Sequence, residues 1–321
     1  MNKEADGPLS LREATSRSVW TRVLDGLDEL DGMGRVPLQQ SWTYGAAMAH
    51  LGLGVTRLVA ARNGKTIAAA QVIERRIWGR LRLVTVMNGP LWGADVAEHE
   101  RRAVLAQLRA RYRRRSGACL FIAPDRGDVP DVTRLYRAMG ARRVMTGSAT
   151  IWLDLTRGED GILAGLSGKW RSALRKGEQA GLDLKVRKAG AGDLDWITGQ
   201  EHAQAAQVGY KGLPPAFIKA FAKVAPNDVL YAEARHDRAV VASALFLRHG
   251  ASATYQIGWT NEAGRDLAAQ PALIMAAIRT LKGKGITSLD LGGIDTVNGA
   301  GVARFKLGLG GEVVQGPGTY F

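Results

Sequence analysis

The sequence predicts an α+β protein made of two tandem copies of one unit, each a mixed, mostly antiparallel sheet flanked by helices. Two observations predict it. The same order of elements, hairpin then strand then helix then strand, is written twice, at a spacing far too long for a solenoid repeat. Composition agrees: of 321 residues, 46% are hydrophobic and 23% charged, the balance of a globular chain able to bury a sizeable core.

The elements follow in order. Leu58-Val59-Ala60-Ala61-Arg62 and Thr66-Ile67-Ala68-Ala69-Ala70-Gln71-Val72 read as strands around Asn63-Gly64, a strong two-residue hairpin signal. In the second half, residues 230–235 and 239–245 repeat the pattern, with His236-Asp237 in the place of the turn. A third strand follows each hairpin, at residues 81–87 and 253–259. A helix comes next, at about 95–115 and about 266–284, because Val104, Leu105, Leu108 and Leu273, Ile274, Ala277, Ile278, Leu281 recur at helical spacing. Gly117 and Gly285 stop these helices. A last strand then runs over 118–123 and 288–291, and each copy reaches an aspartate, Asp125 or Asp295. The two domains are placed at 1–155 and 156–321.

Two segments stand outside the repeat. Residues 167–181 read as a short helix ending at Gly181, with Lys169, Arg171, Arg175 and Lys176 as four cations in eight residues. Arg171 and Arg175 are four apart and share a face, which suits a phosphate backbone or an anionic head group. A merely solvated helix face would have the same pattern. The C-terminal thirty-odd residues hold Gly292-Gly293, then Gly299 and Gly301, Phe305-Lys306, Gly308, Gly310-Gly311, and Gly316-Pro317-Gly318. Glycine weakens regular structure, so this density points to tight turns or to backbone lying close to a ligand, with Lys306 held between turns as a fixed cation.

Charge and cysteine usage exclude several classes. The net charge of +14 favours polyanionic partners: nucleic acid, anionic lipid at a membrane surface, or phosphorylated substrates. The single Cys119 lies in an apolar run and reads as a buried strand residue, which rules out a disulfide framework or a cysteine-rich metal site. The first thirty residues lack an apolar signal core, and no stretch is long enough to span a bilayer, so a cytoplasmic location is expected. The five histidines sit in no nucleophile or zinc motif, and no phosphate-binding loop precedes a helix. No metal and no resident cofactor are expected.

The strand order of the duplicated unit resembles the GNAT acyltransferase fold. In that fold a [QR]-x-x-G-x-[GA] turn before the central helix takes the pyrophosphate of acyl-CoA. Here the turn reads Arg265-Asp266-Leu267-Ala268-Ala269-Gln270, with Ala268 and Gln270 in place of both glycines. Backbone N–H groups approach a pyrophosphate less closely without them. The first copy, at Trp92-Gly93-Ala94-Asp95-Val96-Ala97, is no nearer the pattern.

Four further stretches resemble the FemABX family of aminoacyl-tRNA-dependent peptidyltransferases, which carry two GNAT-like domains. They are Gln40-Ser41-Trp42-Thr43-Tyr44-Gly45; Met87-Asn88-Gly89-Pro90-Leu91; the basic helix from Lys169 to Gly181; and Asp290-Leu291-Gly292-Gly293-Ile294 with Gly301-Val302-Ala303-Arg304-Phe305-Lys306 and Gly310-Gly311. The last is the most specific, and together they span nearly the whole chain. The resemblance implies transfer of an amino acid from its tRNA ester to an amine, usually on a UDP- or lipid-linked muropeptide, a precursor of cell-wall peptidoglycan. Lys306 is then the candidate for stabilising the oxyanion, and Tyr255 for positioning the amine or relaying a proton. Phe305, Arg304, Asp290, Trp42, Tyr44 and Lys211 are the implied substrate contacts, and Lys169, Arg171, Arg175 and Lys176 the tRNA contacts. Met48 stands where peptidoglycan-directed members place a lysine, and Lys211 where they place an arginine, so the acceptor stays open. An acyl-CoA-dependent N-acyltransferase is the alternative, and a binding-only module for nucleic acid or an anionic surface is a third reading.

Overall fold

The computed structural model describes residues 8–31, 35–208, 214–297 and 299–321. It forms two compact units, one running up to Ser148 and taking back Gln315–Phe321, the other Ala149–Val314.

The first unit has strands β1 (Ser10–Glu13), β2 (Gly54–Arg62), β3 (Lys65–Trp78), β4 (Leu81–Met87), β5 (Leu91–Trp92), β6 (Ala118–Ala123) and β7 (Arg143–Met145). Its helices are α1 (Arg17–Asp31), α2 (Trp42–His50), α3 (Glu98–Arg111) and α4 (Val129–Ala138). The sheet order is β1-β2-β3-β4-β6, then the C-terminal strand Thr319–Tyr320, then β7, with β5 paired to β3. Strands β4 and β6 run parallel, in register from Arg82↔Ala118 to Met87↔Ala123. The β2–β3 hairpin turns at Asn63-Gly64, both at positive φ, as the sequence predicts.

The second unit has β8 (Ala149–Asp154), β9 (Asp183–Lys188), β10 (Val229–His236), β11 (Ala239–His249), β12 (Ser252–Thr260), β13 (Ser288–Ile294) and β14 (Glu312–Gln315). Helices α5 (Glu159–Gly165), α6 (Gly168–Gln179), α7 (Ala191–Val208), α8 (Pro215–Val224), α9 (Glu262–Asp266), α10 (Ala269–Gly283) and α11 (Ala300–Leu307) accompany them. The sheet order is β14-β8-β13-β12-β11-β10-β9, and β12 and β13 are its parallel pair. Helix α10 buries Leu273, Ile274, Ala277, Ile278 and Leu281, the positions whose spacing predicts it. Truncating Leu273, Ile274, Ile278 or Leu281 to alanine should cost about 2–5 kcal/mol in a core this closed, read by denaturant unfolding.

Each unit thus contains hairpin, antiparallel strand, helix and parallel strand, in the predicted order. Both hairpins also carry a bulge three residues after the turn, with Ile67 extra opposite Ala60/Ala61 and Val241 extra opposite Ala234/Arg235. That shared irregularity corrects one detail. The second turn is Asp237-Arg238, with φ of 48° and 68°, while His236 is still paired to Ala239. Arg238 accepts a left-handed conformation at a cost on the order of 1 kcal/mol, so side-chain type concealed the turn.

Four other expectations differ. The boundary at 155/156 misplaces β8, which pairs with β13 in the second sheet, and it misses the return of the last residues to the first sheet. Helix α3 ends at Arg111, and a 3-10 turn, Arg114–Ser116, fills the gap before Gly117. The second long helix begins at Ala269 rather than near 266, because Ala268 is left-handed (φ 52°) and separates α10 from the short α9. Cys119 is half-buried rather than buried.

Candidate active site

The two parallel pairs behave differently, and the difference marks a candidate site in the second unit. In the first unit β4 and β6 stay paired over six residues, Arg82 to Met87. In the second, β12 and β13 pair only from Ser252↔Ser288 to Thr254↔Asp290. Beyond that, β12 continues to Thr260 along β11, and β13 to Ile294 along β8. Their facing edges separate and leave backbone N–H and C=O groups with which an extended substrate can pair. A bulge at Gln256, between the pairs Leu245↔Ile257 and Phe246↔Tyr255, marks the start of the separation.

Lys306 stands at this split. Sequence patterning places Phe305-Lys306 in a glycine-rich turn; they lie instead on α11, an eight-residue helix closed by Gly308. Lys306 is 9% exposed, and its Nζ donates to the Gly293 carbonyl at 2.8 Å. No other hydrogen-bond partner of this ammonium is found among the described residues, so two of its three donors remain available. Burial pushes its pKa down from the ordinary lysine value, and the Asp290 carboxylate works against that shift. Gly292 makes room: at φ 75° it is left-handed, and a Cβ there would lie 3.4 Å from both Lys306 Nζ and the Tyr255 carbonyl oxygen. Asp290 holds that turn, its Oδ1 accepting from the Gly292 N–H at 2.8 Å and from the Thr150 hydroxyl.

Tyr255 is half-buried on β12, packed on Phe246 with ring centroids 5.4 Å apart. Burial pushes its phenol up to about 12, so it is a neutral O–H donor near pH 7. Gln270 Nε2 donates to the Tyr255 hydroxyl at 2.9 Å. The Ser243 carbonyl, 3.5 Å from the same nitrogen, can only accept, which fixes the orientation of the amide. The residue that replaces a glycine of the CoA turn therefore positions the tyrosine. Sequence reasoning gave Gln270 no such role; its one signal was an amide at the first turn of α10 where a glycine is expected. Gly258 completes the cradle, since a Cβ there would sit 1.7 Å from the Tyr255 hydroxyl. In Gly258→Ala the tyrosine must swing away. We expect a stability loss of no more than about 1–3 kcal/mol by thermal unfolding, accompanied by a larger fall in transfer rate.

Phe305 packs on Trp170 of α6, ring centroids 5.7 Å apart, and Trp170 Nε1 donates to the Phe305 carbonyl at 3.1 Å. Helix α6 buries Trp170, Leu174 and Gly177 and exposes Lys169, Arg171, Arg175 and Lys176. It packs on the start of α10, where a Cβ on Gly177 would meet the Ala268 carbonyl oxygen at 2.4 Å. Arg171 Nη1 donates to the Leu166 carbonyl at 2.6 Å, so one of the four cations also ties down the loop before the helix. Arg304 is exposed, bonded within its own helix to Ala300. Lys211 lies outside the described residues.

Trp42 and Tyr44 belong to the first unit. Ser41 caps α2, its Oγ accepting from the Tyr44 N–H at 3.1 Å. Gln40 is fully buried, donating to the Met87 carbonyl at 2.6 Å and accepting from the Gln71 N–H at 2.8 Å. These two residues of the Gln-Ser motif therefore hold the fold. The Arg57 guanidinium lies 3.6 Å from the Trp42 ring centroid and donates to the Trp42 carbonyl at 3.0 Å. Burial pushes Arg57 down to about 10 and the Tyr44 phenol up to about 12. Arg57 carried no sequence signal, because its partner Trp42 is met only in the folded unit. Among the described residues no group of acidic, histidine or cysteine side chains could hold a metal ion.

Residues 167–307 match the family model described as an acetyltransferase (GNAT) domain. The chain is similar in structure to FemX, with a TM-score of 0.77 at 12% identity, covering 97% of this chain and 96% of that one. It is also similar to a tandem GNAT protein from the clavulanic acid biosynthesis pathway, with a TM-score of 0.59 at 15% identity and 98% coverage of both. The C-terminal domain of a putative lysylphosphatidylglycerol synthetase from Agrobacterium fabrum gives a TM-score of 0.52 at 16% identity, covering 95% and 92%. The search of curated protein sequences gave no match. The fold is that of two tandem GNAT-like domains, the second unit carries the acetyltransferase-type domain, and the findings support an acyltransferase. No helix among the described residues is long and apolar enough to cross a membrane.

Proposed function

We propose that this protein is an aminoacyltransferase that moves an amino acid from aminoacyl-tRNA to an amine, with a cell-wall peptidoglycan precursor as the first acceptor to try. The observation that carries the reading is the buried Lys306 ammonium, with donors to spare, at the opening between β12 and β13. An aminoacyl ester is already activated, so the reaction needs no covalent enzyme intermediate. The acceptor nitrogen bonds to the ester carbonyl carbon, the bond to the ribose oxygen breaks, and the proton lost by the amine ends on that oxygen. Lys306 stabilises the oxyanion between these events, and the neutral Tyr255 hydroxyl, held by Gln270, donates toward the substrate.

The donor is favoured by two features of the second unit. Ala268 and Gln270 replace both glycines of the turn that takes an acyl-CoA pyrophosphate, and Lys169, Arg171, Arg175 and Lys176 line the exposed side of the helix packed against that turn. In this reading aminoacyl-tRNA is the co-substrate and no resident cofactor takes part.

The test is transfer of radiolabel from total charged tRNA to UDP-linked and lipid-linked muropeptides and to a fraction of cellular amines, with acyl-CoA donors in parallel. Label reaching an amine from tRNA is the expected result. Transfer from acyl-CoA alone would replace this reading with an acyl-CoA-dependent N-acyltransferase. Transfer from neither, with tRNA still bound, would leave a binding module.

A further inference from the structure

The β3–β4 hairpin of the first unit ends in a tip that neither neighbouring strand covers. Pairing of β3 with β2 stops at Gly54↔Glu74, whereas pairing with β4 runs on to Trp78↔Leu81. On the other side, β6 joins β4 only from Arg82↔Ala118. Residues 75–81 therefore project past both neighbours. An irregularity between Arg76 and Trp78 leaves Ile77 as an extra residue on the longer strand. Trp78 is 85% exposed, Ile77 59% and Leu81 41%, an apolar cluster that the fold does not use. Scattered exposed apolar residues are ordinary, but three at one projecting tip, one of them a tryptophan, mark an interaction site.

Cations stand on the tip and on the adjacent turn. Arg75, Arg76 and Arg80 are exposed on the tip, and Arg113, Arg114 and Arg115 are exposed on the 3-10 turn beside it. The adjacency is backbone-tight: Arg82 N donates to the Gly117 carbonyl at 2.8 Å, and a Cβ on Gly117 would lie 2.3 Å from the Arg80 carbonyl oxygen. Arg114 stacks over Phe321 at 4.2 Å. Among the described residues none of the six is held by a carboxylate, and the nearby Glu74 is paired with Arg82 at 2.9 Å.

We propose that this end of the first unit is a docking surface for an anionic lipid bilayer, with Trp78, Ile77 and Leu81 entering the head-group region and the arginines lying against it. Tryptophan with aliphatic neighbours and a rim of basic side chains is the chemistry of the membrane interface. Basic residues near an anionic surface add electrostatic attraction to apolar insertion, so the arginines and the apolar tip together supply the two signals that stable anchoring needs. A nucleic-acid surface would use flat rings for base stacking and gain little from Ile77 and Leu81. The inference stands apart from the donor and acceptor proposed above, and its test reads binding rather than transfer.

The experiment is flotation of the full chain with vesicles of phosphatidylcholine alone and of phosphatidylcholine with about one-third phosphatidylglycerol. Binding is expected only to the anionic vesicles, and to fall as salt screens the arginines. The double variant Ile77→Ser, Trp78→Ser should bind roughly tenfold more weakly, with an unchanged thermal midpoint because both side chains are exposed. The difference in tryptophan emission between wild type and Trp78→Ser should shift to the blue on vesicles and be quenched by brominated lipid. Failure to float with anionic vesicles at low salt would overturn the proposal, as would equal binding by the double variant. Loss of tRNA binding in that variant, with no vesicle binding by wild type, would reassign the surface to RNA.

Discussion

Replacing Lys306 by methionine should lower kcat/KM for transfer by roughly 10²–10³-fold, the effect of removing one oxyanion donor, about 2.7–4 kcal/mol in the barrier. The fold should tolerate the change. The ammonium is almost wholly buried, and burial already pushes its pKa down, so the folded state holds this charge at a cost. Methionine gives up the bond to the Gly293 carbonyl but also removes the desolvated charge, and we expect thermal stability within about 1 kcal/mol of wild type. Activity lost without stability lost separates a catalytic lysine from one that merely ties down a turn, which would lose both. Lys306→Arg should not rescue, because the longer, planar guanidinium cannot put a donor where the almost wholly buried Nζ sits against the Gly293 carbonyl. The pH dependence has a definite sign. Oxyanion stabilisation needs the protonated form, so the alkaline limb of kcat/KM should fall below the ordinary lysine value near 10.5 and vanish in the methionine variant. Between the lowered folded pKa and 10.5 the unfolded chain binds more protons, so this residue's contribution to stability rises with pH across the same window.

How much of this was legible in the sequence depends on the range of the interaction that fixes each part. Strand periodicity, the Asn63-Gly64 turn and the helix from Ser167 to Gly181 are local patterns, and the structure holds them where the sequence places them. The duplication was legible too, because it is local pattern repeated. Features set by partners distant in sequence were not. The last residues return to the first sheet through pairs such as Tyr320↔Ile122, and the bond between Gln270 and the Tyr255 hydroxyl joins a helix start to a strand. The glycines around Lys306 leave tight turns and close backbone approach both open in the sequence, because glycine marks either. Gly292 is of the first kind with some of the second, whereas Gly308 is a helix end packed against Trp170 Cδ1, 2.8 Å from where its Cβ would be. The contrast that singles out the second unit, β4 and β6 paired for six residues and β12 and β13 for three, leaves no mark in either strand's sequence.

Acidification should weaken the second unit through His249 in particular. This last residue of β11 is 2% exposed, and its Nε2 lies 2.9 Å from the Thr254 hydroxyl on β12. Burial pushes its pKa down to about 3 from the ordinary 6.5, so the folded protein keeps the ring neutral over a range where the unfolded chain protonates it. Between those two values the unfolded state binds more protons, so stability falls as pH falls. The contribution is fully present above about pH 6.5, about 2–3 kcal/mol of it is lost by about pH 4.5, and the loss is complete only below pH 3. Carboxylates held by arginines, such as Asp193 beside Arg187, lose stability over part of the same range. The measurement is therefore a difference: denaturant unfolding of wild type and His249→Asn near pH 7 and near pH 4.5. Asparagine preserves a polar partner for Thr254 without a proton to gain. The variant should start less stable at neutral pH and lose about 2–3 kcal/mol less on acidification. Equal losses in the two proteins would show that His249 protonates in the folded state as readily as in the unfolded one, and would overturn this prediction.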